Sequence, residues 1–424
     1  MGRSSWITLF EKVMATLEFG EEKRSQEQVL SDLYSPDRSI RIKAHKDFTQ
    51  GLLTQEHVLT HCFNTVLQDK AIEDRLRKYP NWLSYMNLTN EIQDETVDVL
   101  VKCVTDHYSI VEKYYDKKRQ ILGLDKLYDY DRYAPIEGIP DEIIPWEEAK
   151  EIVLSAYYDF SETFGQIGER FFEERWIHAP VLPGKTSGAF SHSTVPEAHP
   201  YILVNYTGKI RDVETLAHEL GHGIHQYLSR KVGYFNSHTP LPLAETASVF
   251  GEMLVFKKLL ERFQDEKVRR ALICEKVESI FATVFRQIAM NRFEDAIHNA
   301  RRTKGELSPQ EFGKFWYETQ KAMFGDSVEL TDEYSHWWSY ISHFIHAPGY
   351  VYSYAFGELL VLSLISMFEQ GQDGFVEKYI DLLSSGGKSD PYELLEPFNI
   401  DLNDTAFWNE GLKKIDEMVD SVNV

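Results

Sequence analysis

The sequence predicts a mainly α-helical fold carrying one small antiparallel β element. Three observations lead there. Most of the 424 residues fall into long segments whose apolar positions recur at helical spacing and end at Gly or Pro. One stretch, residues 184–207, instead sets β-branched and aromatic residues between Gly, Pro and turn residues. No motif recurs at a fixed period, which sets aside an α-solenoid.

Taken in order, "SPDRSIRIKAHKDF" (35–48) reads as a turn, a cap and a helix. Residues 91–122 put Val97, Leu100, Val101, Val104, Tyr108 and Val111 at helical spacing as one helix, stopped by Gly123. Residues 146–175 start after Pro145 and read as a single unbroken helix. In 184–207, "GKTSGAFSH" and "PYILVNYTG" flank the turn-rich "STVPEA" and read as two short antiparallel strands. They leave at least one edge of unpaired backbone groups, where an extended peptide can add. The next helix starts at an Asp212 N-cap and runs to about Leu228. Residues 243–263, 266–302, 308–324 and 352–370 keep the helical period. There is no low-complexity linker, so residues 1–424 read as one domain, with a helical region over 1–135 and the chemistry in 136–424.

Composition narrows the partners. With 67 acidic and 45 basic residues the net charge is −22, a field that repels phosphate backbones and anionic lipid, so neither nucleic acid nor a membrane is expected as a partner. No run of about eighteen apolar residues is present to span a bilayer. Cys62, Cys103 and Cys274 lie far apart without a CxxC, against a disulfide framework or a cysteine zinc site and in favour of a reducing compartment. The N-terminus has no cationic segment followed by an apolar one, so a cytoplasmic location is expected.

The chemistry concentrates in "AHELGHGIHQYL" (217–228). His218 and His222 are four apart, so both imidazoles project from one helix face and can share an ion. Glu219, beside the first histidine, can reach a water on that ion: two histidines bind zinc and the adjacent glutamate is the general base. An HExxH string arises by chance in roughly a few per cent of chains of this length. Context therefore matters: the string sits on a helix after a strand, with Gly221 and Gly223 permitting close neighbours. The pattern HExxHxxGxxH would need Gly at 225 and His at 228; the chain has His225 and Leu228, which excludes that class. His225 is expected to pack or hydrogen-bond behind the site rather than bind the ion.

A downstream carboxylate should complete the site. "PLAETASVFGEMLVF" (242–256) offers Glu245 and Glu252. They lie seven residues apart, about 10.5 Å along a helix axis, too far to hold one ion together. Glu245 falls in the first turn, where the helix dipole tolerates a carboxylate. Glu252 shares its face and can accept a hydrogen bond from a ligand imidazole. The alternative, that one or both face solvent, stays open. A second unusual stretch, "HWWSYISHFIHAPGYVYSYAFGELL" (336–360), holds His336, His343 and His346, then Tyr350, Tyr352 and Tyr354 around a Pro348–Gly349 break. Tyr350 and Tyr354, four apart on the helix that follows, can aim both hydroxyls one way and donate to an oxyanion. An aromatic core segment is the other reading, and both stand at this point.

Together these segments are identified as those of a known family. "HELGH" at 218–222 followed by "LAETASVFGE" at 243–252 resembles the oligoendopeptidase F family of thimet-oligopeptidase-like zinc peptidases. "YDYDRYAP" (128–135), "GKTSGAFS" (184–191) and "HFIHAPGYVYSYAFGELL" (343–360) are similar to further family segments in the same order. The resemblance implies a large, deep-clefted, zincin-like helical body that admits short peptides, with residues 1–135 forming part of the cleft wall. It implies one Zn²⁺ per chain, held by His218, His222 and Glu245, with Glu219 as base and Glu252 and His225 behind the ligands. Tyr350 and Tyr354 match tyrosines near the scissile carbonyl. His343 fits the "HF" before them, His346 being the other candidate for that role, and Gly188, Ala189 and His346 fall at the substrate. Family members commonly carry a further N-terminal helical region, and this chain begins inside the pattern.

The function implied is a zinc-dependent endopeptidase that hydrolyses internal bonds of short oligopeptides by a metal-activated water. A zinc carboxypeptidase on a related helical fold is the alternative among enzymes; it needs a cationic group for the substrate's free carboxylate. A non-catalytic, peptide-binding helical protein with a relic metal site is the alternative from another class, and Glu219 speaks against it, because a binder needs no base.

Overall fold

Side-chain caps mark where several helices of this chain begin, among them Arg38–Leu53, Glu162–Glu173 and Pro309–Phe324. The computed structural model describes residues 2–140 and 142–424. Helices dominate, and the turn-cap-helix reading of 35–48 corresponds to Arg38–Leu53, whose N-cap Asp37 accepts the Ser39 N–H at 2.8 Å. Pro309–Phe324 opens with reciprocal Ser308–Glu311 capping, and Tyr352–Glu369 matches its expected span.

Four expected long helices are each broken once. Residues 91–122 form Asp94–Asp106 and Ser109–Ile121, parted at His107, whose ring bonds the Cys103 carbonyl at 2.8 Å. Residues 146–175 form Trp146–Phe160 and Glu162–Glu173. Between them Ser161 is extended (φ −160°, ψ 130°) and its hydroxyl caps the second helix at Phe164. Residues 243–263 form Leu241–Ala244 and Thr246–Arg262 with Glu245 as the hinge. Residues 266–302 form Glu266–Thr283 and Phe285–Lys304, parted at Val284. In each case the apolar period resumes in near phase after the break, so periodicity alone joins the halves.

The β element is a three-stranded sheet in the order β1-β3-β2: β1 (Ile177–His178), β2 (Phe190–His192) and β3 (Tyr201–Leu203). β2 and β3 are the expected antiparallel pair, in register Ser191 with Ile202. The two-residue β1 adds in parallel on the far side of β3; a strand that short leaves no alternation to read.

The site-bearing helices, Ile210–Ser229 (the motif helix) and Thr246–Arg262 (the glutamate helix), pack closely. A Cβ on Gly221 would stand 2.4 Å from the Ala247 carbonyl oxygen, so only glycine permits this approach. Val213, Leu216, Ala217, Leu220, Ile224 and Leu228 are all buried on the motif helix, each large apolar side chain contributing roughly 1.5–3 kcal/mol. That one-sided burial leaves the opposite face to His218 and His222. The three cysteines are buried and free. Among the described residues no helix is long and apolar enough to cross a membrane.

Candidate metal centre

The motif helix starts at Ile210, with Lys209 as N-cap rather than Asp212. Asp212 is the third helical residue, and its carboxylate accepts the Thr207 N–H and hydroxyl at 2.7 and 2.6 Å and the Lys209 N–H at 3.2 Å. An acidic residue there satisfies backbone donors ahead of the first turn, which is why it reads so readily as a cap.

His218 and His222 present neighbouring rings, centroids 4.9 Å apart. Glu245 leaves the helical conformation (φ −85°, ψ 1°) just before the glutamate helix, and its Oε2 lies 3.4 Å from His218 Nε2 and 3.3 Å from His222 Nε2. The ligand-competent atoms of these three residues all fall within 4.8 Å of one another. Donors about 2.0–2.1 Å from a tetrahedral zinc stand about 3.3–3.4 Å apart along the edges of the tetrahedron. The two imidazole–carboxylate separations match that edge, so this donor set fits zinc in chemistry and spacing. The Ser248 hydroxyl donates to the same Oε2 at 2.7 Å and aims it.

Behind His218 stands Glu252, whose Oε2 is 3.0 Å from Nδ1. The bond fixes the tautomer that leaves Nε2 free. Lys276, buried on the neighbouring helix Glu266–Thr283, is ion-paired with the other Glu252 oxygen. Burial pushes the Glu252 carboxyl up, but Lys276 and His218 outweigh it and hold it at about 2. Glu245 is likewise held at about 2, burial being outweighed by the two imidazoles and Ser248. For His218 burial works downwards, yet Glu252 and Glu245 raise it to about 9. A cation arriving at Nε2 must therefore displace a proton.

Glu219 is buried. Burial raises its carboxyl, while the imidazoles and the Ser191 backbone N–H of β2 pull it back only in part. It lines a cavity of about 370 Å³ together with Ala189, Ser191, His222, His225 and Gln226. Gly188 lies beside this cavity on an exposed loop, in the left-handed region (φ +83°), its carbonyl held by the Asn205 amide at 2.9 Å. His225 is buried and kept neutral, burial taking it down to about 3, and its Nε2 meets the Thr239 hydroxyl at 3.1 Å. It is not among the three residues whose donor atoms cluster, His218, His222 and Glu245. The edge of β2, expected to be unpaired, is occupied at Ser191: Gln226 donates to its carbonyl at 3.3 Å, and the Ser191 hydroxyl donates back to Gln226 at 2.8 Å. β2 lies directly over the motif helix, whose side chains reach that backbone first.

Tyr354 is on the helix Tyr352–Glu369, but Tyr350, expected on the same helix, precedes it in the turn after Gly349. The rings still meet edge-on, centroids 5.0 Å apart. Burial chiefly, then Tyr354 and the Glu245 charge, raises the Tyr350 hydroxyl, so the phenol stays a donor and lies within the field of Glu245. His343 Nε2 is 3.1 Å from the Tyr354 hydroxyl. His346 turns elsewhere, 3.4 Å from Glu11 and packed on Phe10. The two histidines are three apart on the short helix His343–His346 and point to different neighbours. Lys276, Gln226 and Ser248 are the residues that sequence reasoning missed. Only Lys276 leaves a trace, as a cation at the core-facing spacing of Ile273, Val277 and Ile280.

The family model described as peptidase family M3 matches residues 32–414. The oligopeptidase PepF of Bacillus subtilis is 30% identical over 417 residues, covering 96% of this chain and 60% of its own length. The group B oligopeptidase PepB of Streptococcus agalactiae is 26% identical over 389 residues, covering 92% of this chain and 64% of its own. The chain thus spans somewhat under two thirds of these relatives' length. Among solved structures, a protein from Chlamydophila abortus superposes with TM-score 0.91 at 24% identity, covering 99% of this chain and 72% of that one. Oligoendopeptidase-F from Enterococcus faecium follows the same fold, with TM-score 0.76 at 22% identity and coverage of 99% and 72%.

Proposed function

Because the chain belongs to peptidase family M3, we propose that it is a zinc-dependent endopeptidase of short peptides, holding one Zn²⁺ through His218, His222 and Glu245. The observation that carries this reading is the tetrahedral-edge spacing of Glu245 from the two imidazoles, 3.4 and 3.3 Å, with all three donors within 4.8 Å of one another. Zinc with three protein donors keeps a fourth position for water and lowers that water's pKa towards neutrality.

The chain's own residues supply the rest. Glu219, its carboxyl raised by burial, accepts the proton of the attacking water and hands it to the leaving amine. Tyr350 and Tyr354 donate their hydroxyls to the oxyanion that develops on the scissile carbonyl. His343 holds the Tyr354 hydroxyl at 3.1 Å and so sets its direction. Glu252 and Lys276 keep the His218 ring oriented. A substrate strand that adds beside β2 displaces Gln226 from the Ser191 carbonyl, with Gly188 and Ala189 flanking its path.

The test is metal content measured together with cleavage of quenched peptides, with and without chelator. One zinc per chain and chelator-sensitive cleavage are expected. His218→Ala, His222→Ala and Glu245→Ala should each lose the metal, and His225→Ala should keep it. A chain that keeps zinc without Glu245 and loses it without His225 would sink this ligand set.

A further inference from the structure

Arg286, the second residue of helix Phe285–Lys304, sits beside the tyrosine and histidine cluster. Its Nη1 donates to the Tyr133 hydroxyl at 3.3 Å and its Nη2 to the Tyr340 hydroxyl at 3.2 Å. Nε is buried and donates to nothing. Among the described residues no carboxylate pairs with this guanidinium. Arg132, a second cation of the same pocket, is buried among the rings of Tyr133, Phe324 and Tyr334, and its Nε donates to the Asp129 carbonyl at 3.1 Å. The one acid that lines this pocket, Glu278, is already taken by Lys118 and by the Tyr114 hydroxyl. Among the described residues neither guanidinium is ion-paired with a carboxylate, and Glu278, which lines the same pocket, is engaged elsewhere, so the two cations can still take an anion.

We propose that Arg286, with the hydroxyls of Tyr133 and Tyr340, forms a subsite that receives a carboxylate of the bound peptide. A guanidinium presents parallel N–H donors that match the two oxygens of a carboxylate, and such charge-assisted pairs are the strong ones. The pocket that Arg286, Tyr133 and Arg132 line, beside Tyr340, holds about 40 Å³, room for about three water-sized atoms, which is what a carboxylate group needs. Its field is positive: although burial pushes the Tyr133 hydroxyl up, Arg132 and Arg286 outweigh it and bring it below its ordinary value. Tyr340, which Arg286 holds, stands three residues before His343, the partner of Tyr354, so the subsite adjoins the segment that carries the reacting end of the site. After burial, the Arg286 charge is what most lowers His343, the partner of Tyr354. On a chain of net charge −22, which repels anionic peptides at a distance, a local cationic pocket supplies the contrast needed to favour them. The subsite rests on the peptidase reading only for the identity of its ligand.

The ligand carboxylate has two sources, the free C-terminus or an acidic side chain. Equilibrium binding to the zinc-loaded Glu219→Gln chain separates them, using one labelled peptide with a free C-terminus, its C-terminal amide, and the amide carrying one Asp. The carboxylate peptide should bind about ten- to a hundredfold tighter than the plain amide. Tight binding restored by the Asp peptide assigns the pocket to a side chain; no restoration assigns it to the terminus. Arg286→Gln should bring the ratio close to one, and Arg286→Lys should keep part of it. Equal binding of all three peptides overturns the subsite, as does a preference that survives Arg286→Gln. The first ratio needs no substitution at Arg286, so a misfolded variant does not shield the proposal. Peptide cleavage by the unsubstituted chain separates the two readings. Cleavage without carboxylate preference sinks the subsite alone, and carboxylate preference without cleavage sinks the peptidase alone.

Discussion

Glu294 offers a stability test that the structure defines closely. It is 1% exposed, one oxygen accepts the Gly349 N–H at 2.8 Å, and the other has no partner. Burial raises its carboxyl from 4.5 to about 8, against smaller pulls from Gly349 and Lys70. An acid whose folded pKa lies above its unfolded value makes the folded chain bind the extra proton. Its contribution is full below about pH 4.5 and is lost as pH rises to about 8. Across that window each pH unit costs about 1.4 kcal/mol, so the whole shift is worth on the order of 4–5 kcal/mol. Glu294→Gln keeps an acceptor for Gly349 and removes the titration. Urea midpoints for the two chains should run together near pH 4.5 and separate steadily towards pH 8, with the Gln variant the more stable. Parallel curves across the window would refute the claim that Glu294 is held protonated. Gly349 immediately precedes Tyr350, so the same variant should also flatten any alkaline loss of turnover that comes from this turn.

Three further outcomes are expected. Glu219→Gln should keep zinc and peptide affinity while turnover collapses, measured as kcat beside metal content; retained kcat would remove Glu219 as the base. Tyr350→Phe or Tyr354→Phe should each cost on the order of 10²–10³ in kcat, with melting temperature and KM nearly unchanged. A drop in melting temperature with normal kcat would return these tyrosines to a core role. Gly221→Ala would push a Cβ to 2.4 Å from the Ala247 carbonyl oxygen; overpacking of this kind costs about 1–3 kcal/mol, and it should also weaken zinc binding by parting the two helices. Unchanged melting and zinc affinity would show that the helices can separate without harm.

The helical class and the β2–β3 pair were legible because both depend on local period and turn chemistry. Helix breaks at His107, Ser161, Glu245 and Val284 were not. Ser161 carries a usable signal, being a good N-cap three residues before Phe164. Glu245 carries none: it follows the short helix Leu241–Ala244 and packs near Gly357 of another helix, where a Cβ would come 3.7 Å from that of Glu245, a contact made only in the folded chain. β1 was invisible because two residues pair only through partners some twenty-five positions away.

Within the site, legibility tracked distance along the chain. His218, Glu219 and His222 are neighbours on one helix, so spacing alone brings them together. The seven-residue separation of Glu245 and Glu252 excluded joint ligation, and it also explains how one segment serves His218 twice, Glu245 near Nε2 at 3.4 Å and Glu252 at Nδ1 at 3.0 Å. An imidazole's two nitrogens point in roughly opposite directions, and Glu245, just ahead of the helix, and Glu252, within it, stand one at each of them. What spacing could not reach is the cation that makes this arrangement tolerable. The Glu252 carboxylate, held at about 2 against burial, needs compensation, and Lys276 supplies it from a helix that becomes adjacent only when the chain folds.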